Sequence, residues 1–235
     1  MLHPDIDTPA AVVDLDMAGD HISKFQKYLD GHGIPGRPHI KTHKLPQLAK
    51  AQLAAGAHGI TCQKVSEAEA MIADGGIDDV LLTYNVLGPE KLAHLLALSK
   101  RVRLSVVADN STVISGLAEA FADAATPLPV LVECDTGARR CGVGSGEDAL
   151  ALAREIAAAS GLHFAGLMTY PPAGDPAAVQ AWLAGAKSLI EGAGLAVEVV
   201  SCGGTPDMWR AHEVPVATEW RAGTYAYNDG SLVAR

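Results

Sequence analysis

Short β-branched runs alternate with Ala/Leu-rich runs along this 235-residue chain, and that alternation constrains its fold more than any other feature. Strand-like segments fall at residues 39–43, 59–63, 79–85, 103–109, 128–135, 163–170, 197–203 and 217–227. Helix-like stretches lie between them near residues 46–55, 66–74, 89–101, 111–124, 146–159 and 175–193. Their starts carry helix-entry signals: Ser66 precedes Glu67 and Glu69, Gly88-Pro89-Glu90 puts a proline in a first turn, and Ser111 follows a polar Asp-Asn pair. Regular strand–helix alternation requires a parallel sheet. The strands are apolar without strict alternation, as in a sheet covered on both faces. Eight such units predict an α/β fold of the closed (β/α)8, TIM-like type. A doubly wound open sheet is the competing arrangement, disfavoured because the first βα turn has no G-x-G-x-x-G fingerprint.

One segment stands outside the repeat. Asp7-Thr8-Pro9-Ala10-Ala11-Val12-Val13-Asp14-Leu15 reads as a strand ahead of a first helix over residues 17–31. It has no partner in the repeat and is expected at an edge, or paired with something outside this domain. The chain therefore divides into residues 1–15 and a domain over 16–235.

Composition narrows the function. Hydrophobic residues make up 49% and charged residues 19%, which fits a large core and excludes disorder. A net charge of −9 argues against a nucleic-acid partner, though not against an anionic small ligand in a locally positive pocket. Cys62, Cys134, Cys141 and Cys202 show no C-x-x-C spacing and read as free thiols of a cytoplasmic protein. No signal-peptide pattern opens the chain, and no apolar run is long enough to span a membrane.

The chemistry centres on Arg37-Pro38-His39-Ile40-Lys41-Thr42-His43-Lys44. Its apolar lead-in places Lys41 near the end of a short strand, with His39 and His43 at i−2 and i+2 on the same face. A lysine partly desolvated beside cationic groups is pushed toward its neutral, nucleophilic form. Such an amine condenses with an aldehyde, and the natural aldehyde is pyridoxal 5′-phosphate (PLP).

Barrels gather catalytic groups where strands end, and unusual polar residues fall there. Examples are Gln63, Thr83-Tyr84-Asn85, Glu133-Cys134-Asp135 and Tyr170. Two ends look like phosphate cradles: Ser201-Cys202-Gly203-Gly204-Thr205 and Arg221-Ala222-Gly223-Thr224, with Tyr225 beyond. Their location after the seventh and eighth strands is where barrels often bind phosphate. Arg140 follows an Asp-Thr-Gly turn that aims it inward, toward a cofactor oxygen or a substrate carboxylate. Tyr170 is read either as a cofactor-packing or acid/base group or as core. His58, His94, His163 and His212 lack ligand spacing and read as surface or structural.

These motifs together resemble the fold-type III PLP enzymes of the D-threonine aldolase and D-serine dehydratase group, relatives of the alanine racemase N-terminal barrel. Further segments match in order: Asp7-Thr8-Pro9, Gly59–Ala68, Asp135-Thr136-Gly137-x-x-Arg140-Cys141-Gly142-Val143, Gly166–Tyr170, Gly203-Gly204-Thr205 and Gly223–Tyr227. The run Cys62-Gln63-Lys64-Val65-Ser66-Glu67 is more similar to the aldolase branch. The resemblance implies Lys41 as the PLP lysine, Arg140 near the phenolic oxygen, and Tyr170 in the active site. It implies Ser201, Gly203, Gly204, Thr205, Gly223 and Thr224 around the phosphate, and Arg221 facing the pyridine nitrogen. It implies a lyase that cleaves D-3-hydroxy amino acids by retro-aldol, D-threonine yielding glycine and acetaldehyde. D-serine dehydratase-type β-elimination, or PLP binding without turnover, are the alternatives. Family enzymes continue into a β-rich domain carrying a divalent metal (Mn, Mg or Zn) on a histidine and a nearby aspartate or cysteine. No such pair is visible in the closing residues, and that domain is expected to be absent here. The partners implied are a small D-amino acid and a second copy of the chain in a homodimer.

Overall fold

Helix α1 (Leu15–Gly31) opens the fold in the computed structural model, which describes residues 6–227. Asp14 caps it by accepting from the Met17 N–H at 3.0 Å. Its buried face carries Ala18, Ile22, Phe25 and Leu29 at helical spacing. Helix α2 (Pro46–Ala55) follows, with proline in its first turn.

The sheet has seven strands: β1 (Ile60–Cys62), β2 (Asp79–Leu82), β3 (Arg103–Ala108), β4 (Leu128–Glu133), β5 (Leu162–Met168), β6 (Val199–Cys202) and β7 (Glu219–Trp220). They lie side by side in chain order, and every neighbouring pair is parallel. Parallel neighbours need long crossovers. The first five are α3 (Val65–Ile72), α4 (Pro89–Ser99), α5 (Ser111–Phe121), α6 (Gly146–Ala158) and α7 (Pro176–Gly192), and a 3-10 segment, Met208–Glu213, links β6 to β7. The result is a curled α/β sheet with helices outside.

Side chains of the strands part by period two. Val80, Leu82, Val106, Val130 and Val132 join the main core against the helices, while Leu81, Val107 and Leu131 meet Ala165 and Met168 on the other face. Both faces are therefore apolar, which is why the strands read as continuous hydrophobic runs. A register shift between Val130 and Leu131 lies opposite Gly166, whose φ of +145° and close approach to the Val199 carbonyl leave no room for a side chain.

Three strand expectations change. Residues 39–43 form no strand, because the His39 side chain accepts from the Lys41 N–H and the chain turns into a 3-10 segment, Ile40–Thr42. The last expected strand shortens to Glu219–Trp220 and passes into a second such turn, Thr224–Ala226. The expected eighth stave is supplied by residues 35–39. Arg37 and His39 donate to the carbonyls of Trp220 and Ala222 at 2.9 Å, while the Pro38 carbonyl accepts from Thr61 at 2.8 Å. This irregular segment thus bonds both to β7 and to β1.

The outlying strand expected over residues 7–15 is also not formed. Residues 6–14 carry no regular element, Val12 and Leu15 are exposed, and Leu15 already belongs to α1. Pro9 has no N–H to give a ladder, and the Asp14 cap commits the following residues to helix.

Arg37 fastens the irregular stave from below. Its guanidinium pairs with Asp79 at 2.5 Å and Glu219 at 2.7 Å, at the starts of β2 and β7. His58, read from the sequence as surface or structural, sits 2.9 Å from Glu219 in this network.

Candidate active site

The turn that breaks the expected first strand carries Lys41 into a cavity of about 550 Å³ at the C-terminal ends of the strands. His39, Lys41, Gln63, Glu133, Arg140, Tyr170 and Arg221 all line it. They come from six places in the chain, each at or just past a strand end or its equivalent.

Lys41 opens onto the cavity. Surrounding protein lowers its pKa, and the Arg140 and Arg221 guanidiniums lower it further, against a raising influence from Glu67. His39 is buried, and burial together with the charges of Lys41 and Arg221 brings its pKa down to about 2. The ring is therefore neutral. Its Nδ1 accepts from the Lys41 N–H at 3.4 Å. His39 thus anchors the turn that presents the lysine.

Arg140 lies 4.3 Å from the centre of the Tyr170 ring, a cation–π contact that orients the guanidinium. Arg221 is buried. One of its nitrogens donates to the Thr169 carbonyl, and its Nε has no partner. A buried donor without a partner is costly, and here it lies in the cavity wall.

The loops after β6 and β7 form the glycine-rich edge. A Cβ on Gly203 (φ +105°) would run into the Trp220 ring, and one on Gly204 would meet Tyr170 at 2.7 Å. Thr205 Oγ1 accepts from the N–H groups of Gly223 and Thr224 at 3.2 and 3.0 Å, tying the two loops together. Among the described residues, the N–H groups of Gly204 and Thr205 donate to no backbone or side-chain acceptor. One amine, two guanidiniums and a bare-backbone edge make a donor set that fits an anionic aldehyde such as PLP.

Three sequence candidates point elsewhere. His43 accepts from the Leu45 N–H at 3.1 Å through Nδ1 and lies 3.3 Å from Gln52 Oε1 through Nε2. Gln52 in turn donates to Tyr225 Oη at 2.9 Å. His43 and Tyr225 thus brace α2 and do not line the cavity, because the 3-10 turn abolishes the i, i+2 face shared in a strand. The Ser201 hydroxyl donates to Glu219 at 2.5 Å and belongs to the Arg37 network.

Sequence reasoning passed over Glu133, Asn85 and Cys141, although it placed each at or beyond a strand end. Glu133 is buried, which raises its pKa, and accepts from the Cys141 thiol at 2.9 Å. Asn85 donates to Asp109 at 2.7 Å. Among the described residues, no three His, Cys, Asp or Glu side chains converge to hold a metal ion. The expected divalent metal has no fitting ligand set here. Nor is any described helix long and apolar enough to cross a membrane.

The alanine racemase N-terminal domain model matches residues 13–230. The chain belongs to that family. Within it, the chain is 37% identical over 240 residues to a D-threonine aldolase of Arthrobacter sp., covering 97% of this chain and 63% of that protein. It is 35% identical over 237 residues to a D-threo-3-hydroxyaspartate dehydratase of Delftia sp., covering 95% and 62%. The crystal structure of D-threonine aldolase from Filomicrobium marinum superposes with a TM-score of 0.91 at 36% identity, over 97% of this chain and 65% of that one. This family member thus spans just under two thirds of the length of these relatives.

Proposed function

We propose that this chain is the cofactor-binding barrel of a PLP-dependent lyase acting on D-3-hydroxy amino acids, with retro-aldol cleavage of D-threonine to glycine and acetaldehyde as its reaction. The observation that carries the reading is the Lys41 amine, its pKa lowered, in one cavity with Arg140, Tyr170 and Arg221 beside a glycine-lined edge. Relatives named as aldolases of D-threonine and of 3-hydroxy-D-aspartate, each 37% identical, support the substrate class.

Lys41 would hold the aldehyde carbon, and Gly204, Thr205 and the joined Gly223–Thr224 loop would hold the phosphate. When bound, PLP accepts the electron pair left at Cα as the Cα–Cβ bond breaks. Arg140, oriented by the Tyr170 ring, would bond a phenolate or a substrate carboxylate. Arg221 supplies a fixed buried charge in the wall. His39, neutral at working pH, keeps the Lys41 turn closed without drawing charge from the amine.

The test is product analysis after incubating the PLP-loaded protein with D-threonine, with and without an added divalent metal, beside Lys41→Ala. Glycine plus acetaldehyde, absent in the variant, is the expected result. Release of ammonia and 2-oxobutyrate instead would favour β-elimination, the second reading, which the 35% identity to a hydroxyaspartate dehydratase supports. Bound PLP with no product from any D-amino acid would leave a cofactor-binding barrel without turnover.

A further inference from the structure

Lys41 stands between two histidines, and each ties the lysine turn to the loop after β7. The tie ahead of Lys41 is backbone. His39 N–H donates to the Ala222 carbonyl at 2.9 Å, and Gly223 packs so close that a Cβ there would meet the His39 carbonyl at 2.6 Å. The tie behind Lys41 is made of side chains and passes through Gln52, which no sequence motif marks. Gln52 lies on the inner face of α2 with Leu48 and Ala49 and is only 1% exposed.

The direction of each bond in this second tie is fixed. The Leu45 N–H can only donate, so His43 Nδ1 is its acceptor at 3.1 Å and carries no proton. Burial lowers the His43 pKa, so the ring is neutral and its one N–H is at Nε2. That N–H donates to Gln52 Oε1 at 3.3 Å, which turns the amide nitrogen toward Tyr225, and Gln52 Nε2 donates to Tyr225 Oη at 2.9 Å. All three side chains are buried, so water does not compete for these bonds. Packing alone would be served by an apolar residue, since a buried amide is costly unless its hydrogen bonds are made. The two groups it joins account for Gln52. One closes the lysine turn. The other follows Thr224, whose N–H is bonded to Thr205 at the glycine-lined edge.

We propose that Gln52 is a positioning residue that sets the Lys41 turn against the Gly223–Thr224 loop, so that a ligand carrying both an aldehyde and a phosphate finds both ends of its site already in place. The role rests on the proposed reading of that loop as the phosphate edge. Its physical basis is preorganisation. A ligand held at two points gains from having the points set in advance, whereas a ligand held at one point does not. Gln52 acts only through His43 and Tyr225, and none of the three lines the cavity.

Two measurements test it, the first without cofactor. In the cofactor-free full chain, amide hydrogen exchange is followed in the peptide covering residues 40–45, where the Leu45 N–H is held by His43. Tyr225→Phe removes the hydroxyl at the far end of the tie and should speed this exchange several-fold. Gln52→Met should do the same, and the double variant should go no further. Unchanged exchange in both single variants, or effects that multiply in the double, overturns the proposal. In the second measurement, PLP and pyridoxal, which lacks the phosphate, are titrated by absorbance. Each single variant should weaken PLP several-fold and leave pyridoxal unchanged. Where the parent prefers PLP, equal weakening of both ligands, or of neither, overturns the proposal. Should Gln52→Met not fold, Tyr225→Phe decides alone by the same two readings. Faster exchange in the variants of a parent that binds PLP no better than pyridoxal removes the phosphate edge, and with it the proposed function, but leaves the tie. A parent that prefers PLP while the exchange does not respond removes the tie alone.

Discussion

Arg37 donates through Nε to Glu219 Oε2 at 2.7 Å, binding the stave that leads to Lys41 to the strand that leads to Arg221. Two of the three cationic groups of the cavity, Lys41 and Arg221, are thus set by one buried ion pair a layer below them. Removing one partner strands the other as an unpaired buried charge. We predict that Arg37→Leu or Glu219→Leu each lowers stability by about 3–5 kcal/mol, and that the double variant loses less than their sum. Urea unfolding of the three variants checks this, and strict additivity would contradict it.

The same pair makes a pH prediction. Burial alone would raise the Glu219 carboxyl, but hydrogen bonds from His58 and Ser201 and the Arg37 charge hold it at about 2, against an ordinary 4.5. A depressed carboxyl adds stability that is complete above pH 4.5 and lost as pH falls toward 2. His39 acts earlier. Its pKa of about 2 lies below the ordinary 6.5, so the unfolded chain takes the proton first and stability drops once pH falls below 6.5. His39→Gln should flatten the decline from pH 6.5 downward, and below pH 4.5 the part of the loss due to Glu219 should remain. Part of the upper decline should remain, because burial also lowers His43. Thermal melts across pH check this, and a decline between pH 6.5 and 4.5 that is unchanged in His39→Gln would contradict it.

Gly204 and Tyr170 leave each other no spare room, since a Cβ on Gly204 would meet the ring at 2.7 Å. Gly204→Ala should cost about 1–3 kcal/mol through overpacking and weaken PLP binding by turning the ring away from Arg140. Tyr170→Phe keeps the ring under Arg140 and should bind PLP nearly as the parent does. Tyr170→Leu should weaken binding. Equal affinity in the Phe and Leu variants, read by fluorescence titration, would rule out the cation–π contact as the organising element.

Much of this was legible before the structure. Strand–helix alternation located six of the seven strands within their expected spans and the seventh, β5, to within one residue, and strand ends pointed to Lys41, Gln63, Arg140, Tyr170 and Arg221, all of which line the cavity. What failed did so for local reasons. A strand pattern over residues 39–43 cannot reveal that the His39 ring captures the Lys41 N–H and bends the chain, so the role given to His43 followed from a face that does not exist. Ser201 sat in a convincing phosphate run, yet side chains alternate along β6 and its hydroxyl falls to Glu219. Glu67 looked like a helix-entry residue and is one; that its second oxygen is buried without a hydrogen-bond partner, with Lys44 Nζ 3.8 Å away, depends on the folded turn.

The central claim is that Lys41 holds PLP. The direct test is borohydride reduction of the protein mixed with PLP, followed by peptide mass mapping, with Lys41→Ala and Lys44→Met alongside. The account predicts a phosphopyridoxyl group on Lys41 in the parent and in Lys44→Met, and no specific label in Lys41→Ala. Labelling that stays the same without Lys41, or that settles on Lys44 or Lys64 in the parent, would contradict it.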